Sequence, residues 1–294
     1  MARPLIVLAT LIWGSSFVVM KNTLDDVPVF FLLGVRFTIA AVILALVFHK
    51  RWASVDRHYV AGGALMGILL FLAYAFQTFG LEGTTPGKNA FLTAVYCVLV
   101  PFLYWAVAGK RPDRYNMLAA LLCIVGIGLV SLTRDLTITW GDGLTLVCCI
   151  FYAAHIVAVP RIATDRDIFL LTVIQFATTA ALSWVCALAT RGVPARMLPM
   201  NAVGGLLYLS VAATALALLC QNVGQKYTSA TSASVLLSLE APFGVLFSIL
   251  FYRERPSVSM LLGFALIFAA VLCSETKFQF PAKKGVDKLD SQHI

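Results

Sequence analysis

Apolar residues run along this chain in blocks of about 20, each long enough as a helix to cross a hydrocarbon core of about 30 Å. Ten such blocks occur, at residues 5–20, 28–48, 59–79, 89–107, 115–133, 143–159, 168–190, 202–223, 230–252 and 257–274. The links between them are too short to hold a soluble domain, so any activity is expected to lie in the membrane part. Residues 280–294 read as a polar, fraying tail. The first block follows Ala2-Arg3 and has the length of a signal peptide, but it carries Trp13 and Ser15-Ser16 and leads straight into another block. It is therefore expected to be retained as a span.

Composition agrees with the pattern. Of 294 residues 60% are hydrophobic and 12% charged, about half the charged fraction of a soluble domain. An even number of spans puts both termini on one side, and fourteen of the 22 basic residues fall there, from Arg3 through Lys50, Arg51 and Arg57 to the tail lysines. Seven fall opposite, and Arg36 sits within a span. Lys and Arg accumulate on the cytoplasmic side of short loops, so both termini are predicted cytoplasmic. This asymmetry accounts for the net charge of +8 without a nucleic-acid partner. The seven cysteines all fall within predicted spans without metal-ligand spacing and read as small core residues. No metal and no cofactor is expected.

The chain also repeats itself. Residues 77–112 overlay without a gap on residues 221–256: Gln77 meets Gln221, Gly80 meets Gly224, Leu92 meets Leu236, Arg111-Pro112 meets Arg255-Pro256, and Tyr96 falls opposite Glu240. The same halving sets residues 10–21 beside 149–160, so that Trp13 faces Tyr152 and Ser16 faces His155. Five spans per half would make the second copy enter the membrane from the opposite side. Inverted repeats of this kind recur in secondary transporters, where the substrate site lies near the midplane at the repeat interface. The expected fold is an all-α integral membrane protein of ten transmembrane helices, arranged as two inverted five-helix repeats around a central cavity. The expected units are residues 1–137, 138–276 and a tail at 277–294.

Of fourteen acidic residues, Glu240 alone sits deep in a span, with Pro242 two places on. A carboxylate at mid-membrane costs about 2.5 to 3.5 kcal/mol on insertion scales, so it is expected to face protein or a cavity. It either lines a pathway and couples protons, or bonds a neighbouring helix and fixes packing. Pro242 is expected to free the carbonyl of Ser238 and bend the helix. Other polar groups gather at helical spacing: Asn89, Thr93 and Tyr96; Tyr74 and Gln77; Thr214 and Gln221; Trp13 with Ser16; Tyr152 with His155. The cavity wall is thus assigned to the first, third, fourth, sixth, eighth and ninth spans, with the fifth and tenth left to packing or lipid. His155 reads as a ligand or as a satisfied interior residue, and Gln77 and Gln221 as substrate contacts or helix bridges. Arg36 is read as structural, snorkelling or pairing with a loop acid. Asp25-Asp26 before Pro28 reads as a turn and helix start.

The stretches 8–21, 32–46, 89–105 and above all SASVLLSLEAPFGVLFSILFYRERPS at 232–257 resemble the EamA family of the drug/metabolite transporter superfamily, which includes ten-span YddG-like transporters. Two departures stand out. Tyr252-Arg253 stands where the family usually has glycine before the acid, and Gly109-Lys110 has lysine in place of the acid. The resemblance implies movement of small organic metabolites, with export favoured over import, in a bacterial-type cytoplasmic membrane.

The expected substrates are amino acids or related compounds, moved by alternating access. Trp13, Tyr74, Tyr96 and Tyr152 would stack on an apolar side chain or on a cation, and Ser16, Gln77, Asn89, Thr93, His155, Gln221, Ser238 and Glu240 would serve polar groups. The alternatives are efflux of drug-like or cationic compounds by proton exchange, or a channel-like or non-transport membrane protein. An enzyme is not expected, because diphosphate chemistry wants clustered acids and only Asp25-Asp26 is at hand. A periplasm-active reporter fused to the tail should be silent; a bright one would reverse the orientation.

Overall fold

The computed structural model describes residues 2–109, 111–131, 138–194, 197–228 and 230–276. The expected tail, Lys110, Arg134 and Arg196 lie outside the described residues, as do residues 132–137 where the first expected half ends. Among the described residues the chain is built of helices without a strand, as hydrocarbon demands of a spanning backbone that must satisfy its own hydrogen bonds. In chain order they are α1 (Ala2–Leu24), α2 (Val29–Val47), α3 (Arg57–Glu82), α4 (Pro86–Thr93), α5 (Tyr96–Ala108), α6 (Arg114–Ser131), α7 (Trp140–Ile162), α8 (Ile168–Ala189), α9 (Met200–Ser210), α10 (Ala217–Lys226), α11 (Ala230–Leu237), α12 (Glu240–Phe247) and α13 (Val258–Thr276).

Among the described residues, seven continuous stretches are long and apolar enough to cross a membrane, counting α4 with α5 and α9 with α10 as one each. Shorter apolar helices lie at Arg114–Val130, Glu240–Tyr252 and Val258–Cys273. The chain is a multi-pass membrane protein.

Local chemistry sets the helix ends. Asp56 accepts from the backbone N–H groups of His58 and Tyr59 to start α3, and Thr85 followed by Pro86 starts α4. Thr139 starts α7 and Asp167 starts α8 in the same way. At the start of α2 the expectation from Asp25-Asp26 is met only in part. The turn forms, through the backbone N–H groups of Asp26 and Val27 on the carbonyl of Thr23, but Pro28 takes the cap position with no side-chain bond.

Three of the helical runs are interrupted. Between α4 and α5, Ala94 and Val95 form a tight turn closed by Val95 N–H on Leu92 O at 3.2 Å and Cys97 N–H on Ala94 O at 3.0 Å. Between α11 and α12 the turn falls at Ser238 and Leu239, with Ala241 N–H on Ser238 O at 3.1 Å. The carbonyl of Ser238 is therefore occupied, contrary to the expectation from Pro242. Lacking an N–H, Pro242 sits in the first turn of α12, where that donor would be unpaired anyway. The third interruption, between α9 and α10, is a π-helical segment at Val211–Leu216.

Packing ties distant parts of the chain together. α2 lies against α8, α3 against α7 and α8, α1 against α10 and α12, α4 against α12, α5 against α7, and α6 against α13. The last pair crosses at glycines: a Cβ on Gly126 would stand 2.7 Å from Ile267 and 3.0 Å from the carbonyl of Gly263, and one on Gly263 would meet Gly126 O at 2.8 Å. With no hydrophobic drive between helices in lipid, such close backbone approach supplies the contact. Gly126→Leu should lower the thermal unfolding midpoint of the detergent-solubilised protein, at a cost of about 1–3 kcal/mol for overpacking. Gly204→Ala, where a Cβ meets nothing within 4 Å, should leave it unchanged or raised; equal effects would dissolve the claimed crossing.

Candidate functional site

Interrupted and continuous helices together surround a hollow inside the bundle. It is lined from α1 by Trp13, Ser16, Phe17 and Met20, from α2 by Arg36, from α3 by Tyr74 and Gln77, and from the start of α5 by Tyr96. α7 adds Tyr152 and Ile156, α10 adds Leu218 and Gln221, and the α11–α12 turn adds Leu237 and Glu240. About 30 Å³ of it is open to the centre of a water molecule, room for a water or two. In this conformation the hollow is closed around its polar groups.

Glu240 occupies the first helical position of α12, where the dipole of the helix favours a negative charge. This accounts for a carboxyl group in the middle of an apolar run: the run is two helices, and the acid stands at the head of the second. Glu240 is 5% exposed and interacts with the Tyr96 hydroxyl, and its Oε1 has no hydrogen-bond partner among the described residues.

Arg36 is 1% exposed. Its Nε donates to the Thr214 hydroxyl, one terminal nitrogen to the carbonyl of Ala213 at 3.2 Å and the Tyr74 hydroxyl at 3.5 Å, and the other to the Met20 sulfur at 3.7 Å. Its guanidinium lies over the Tyr74 ring, 4.6 Å from the centroid. The expectation that it snorkels or pairs with a loop acid is not met. Arg36 is held inside by the π-helical segment, whose Ala213 carbonyl also accepts from Trp13 Nε1 at 2.8 Å. Insertions of this type displace backbone carbonyls from the regular ladder and recur at functional sites.

The rings form a continuous wall. Tyr74 and Tyr152 meet edge to face at 5.6 Å, and Tyr96 and Tyr152 lie tilted to one another at 5.9 Å. Tyr152 donates to Gln77 Oε1 at 2.8 Å, and Gln77 Nε2 donates to Thr93 Oγ1 at 3.1 Å.

Of the twelve residues singled out in the sequence, Trp13, Ser16, Tyr74, Gln77, Tyr96, Tyr152, Gln221 and Glu240 line the hollow. Thr93 stands behind Gln77 as its partner, and Asn89 bonds Thr145 Oγ1 at 2.7 Å and the carbonyl of Gln77 at 3.3 Å. His155 is buried against Gln175 Oε1 at 3.1 Å, and Ser238 is buried in the turn. These four do not line it. The stripe Asn89, Thr93 and Tyr96 divides because helical periodicity stops at Thr93 and restarts at Tyr96. On α7 the lining face is Tyr152 and Ile156, spaced i and i+4, which turns His155 away. Phe17 and Met20 continue the face of Trp13 and Ser16, a signal present in the spacing but masked by their apolar character.

Around the hollow, two polar clusters tie helix ends together. Glu254 accepts from the Thr85 and Ser248 hydroxyls and from Gly87 N–H at 3.0 Å, which holds the end of the α12 run on the start of α4. Beside it Lys88 pairs with Asp142 at 2.6 Å, and Thr84 donates to the same carboxylate at 2.9 Å. Elsewhere Arg51 pairs with Asp167 at 2.6 Å, and Lys226 donates to the carbonyl of Arg166 at 2.6 Å.

A multi-pass bundle of broken helices closing on a buried polar hollow has the form of a membrane carrier. A model described as the EamA-like transporter family matches residues 2–132 and again residues 139–276, so the chain belongs to that family of membrane transporters. An uncharacterized transporter of Archaeoglobus fulgidus is 34% identical over 265 residues, covering 90% of this chain and 82% of the relative. The uncharacterized transporter YoaV of Bacillus subtilis is 22% identical over 280 residues, 93% of this chain and 96% of its own. A solved crystal structure shares the fold, with a TM-score of 0.70 and 19% identity over 93% of this chain and 96% of that one.

The Lys88–Asp142 pair is nearly dry, with side-chain exposures of 15% and 0%. Lys88→Met alone should destabilise the protein by about 3–5 kcal/mol, because it strands a buried carboxylate. Lys88→Met combined with Asp142→Asn should recover most of that loss in denaturant titrations, and a double variant no better than the single one would refute this reading of the pair.

Proposed function

We propose that the chain is a ten-span carrier of small organic metabolites, amino acids or related compounds first among them, in which two inverted halves at 1–137 and 138–276 open the central hollow to one side and then the other. The observation that carries the reading is the hollow itself, lined from both halves and holding Arg36 and Glu240 out of lipid.

Three features support the halves. The turn between α4 and α5 and the turn between α11 and α12 fall at the same register of the internal repeat, so that Tyr96 and Glu240 each head the helix after the break. The helix pairs map onto one another when the halves are exchanged: α2 with α8 and α6 with α13 onto themselves, and α3 with α7 onto α10 with α1. The family model also matches twice.

The polar clusters at the helix ends would act as closures that break in turn. The carrier would lie in a cytoplasmic membrane with both termini inside and work outward, as the basic residues and the family resemblance suggest. The reading contains no catalytic step and needs no cofactor, metal or nucleic acid. Efflux of cationic compounds is the second reading, favoured by the tyrosine wall and Glu240. Arg36 in the same wall weighs against it.

Glu240→Gln should abolish proton dependence or cut flux in proteoliposomes by at least about tenfold, the size of one lost charged contact. Unchanged flux at every pH, with normal expression, would remove Glu240 from the mechanism.

A further inference from the structure

Arg36 and Glu240 line one hollow, yet no ion pair joins them: the ion pairs among the described residues are Arg51–Asp167 and Lys88–Asp142. Each is more than nine-tenths buried and each is incompletely served. A guanidinium offers five N–H donors in a rigid fork that matches a carboxylate. Here the fork meets two neutral hydroxyls, one carbonyl and a thioether sulfur, of which the Tyr74 contact is long at 3.5 Å and the Met20 contact weak at 3.7 Å. Glu240 Oε1 has no partner among the described residues. Buried charges left without counter-charges are costly, and a ligand that brings both signs relieves the two together.

We infer that Arg36 and Glu240 are the two poles of a zwitterion site: Arg36 receives the α-carboxylate of an amino acid and Glu240 its α-ammonium, with the side chain against the tyrosine wall. The inference rests on the transport reading of the same hollow and adds Arg36 as the residue that decides specificity. A lone amine would satisfy Glu240 and leave Arg36 uncompensated; a lone carboxylate would do the reverse. The hollow has room for no more than a water or two, so the ligand enters when the helices part.

The test uses the full-length wild-type protein in detergent. The twenty protein amino acids are screened by calorimetry, and the best binder is compared with its methyl ester, its N-acetyl derivative and its decarboxylated amine. Each analogue should bind roughly 10- to 100-fold more weakly, since each lacks one charge-assisted contact. Arg36→Gln should erase the preference for acid over ester, and Arg36→Lys, which keeps the charge without the fork, should restore part of it. An ester or amine that binds as well as the free amino acid overturns the inference, as does failure of every amino acid to bind. Because the analogue series needs no variant, misfolding of Arg36→Gln leaves the test intact. Flux of cationic dyes in proteoliposomes is measured alongside. Dye flux without amino-acid binding sinks the zwitterion site and spares the carrier, while absence of any flux sinks the carrier reading.

Discussion

A helix in hydrocarbon cannot turn a charged side chain toward lipid without a cost of several kcal/mol, and this chain carries a cation and an acid, Arg36 and Glu240, deep inside apolar runs. The remaining architecture follows from hiding both. Each sits on a helix whose other faces are apolar, so the helices bearing them turn those two residues toward a shared interior. The other deep polar groups of that interior, Gln77, Gln221 and the tyrosines, gather there for the same reason. What lies outside is apolar: α6 and α13 carry large exposed hydrophobic residues such as Leu121, Ile124 and Leu262 and meet each other through glycine.

Hiding charges is half of the problem, since a regular helix has no free backbone polarity with which to meet them. The chain solves this by interrupting its helices where the charges lie. Glu240 stands at the head of α12, where the helix dipole favours a negative charge, and the π-helical segment supplies the Ala213 carbonyl to Arg36 and Trp13. Discontinuous helices whose ends face a central cavity are the membrane version of the helix-terminus ion site. The polar clusters at the helix ends, Glu254 on α4 and Lys88 on Asp142, then hold this closed arrangement at the periphery.

Much of this was legible in the sequence, for identifiable reasons. The apolar runs marked the helices because lipid leaves no other way to satisfy a spanning backbone, and Glu240 was conspicuous because a deep acid has few innocent explanations. Arg36 was underestimated. Its length allowed a snorkelling reading, and only the fold shows Thr214 and Ala213 brought to it from about 180 positions away. The turn at Ala94-Val95 has no proline to announce it, so a polar stripe drawn through Asn89, Thr93 and Tyr96 crossed a break in the helix. His155 failed for a simpler reason: one residue is 100° on a helix, and Ile156 took the inward position. Apolar lining residues such as Phe17, Leu218 and Leu237 carry no signal that separates a cavity wall from a core.

Central to this view is a hollow that reaches water from either face of the membrane, one face at a time. The most direct measurement places a cysteine at Ser16, in the wall of the hollow, and follows its reaction with a membrane-impermeant thiol reagent added to one side or the other of oriented vesicles, against the parent protein as blank. Reaction from both sides is predicted, with saturating ligand slowing one side as it speeds the other. A cysteine that reacts from neither side, or from a single side whatever is added, would contradict the alternating hollow.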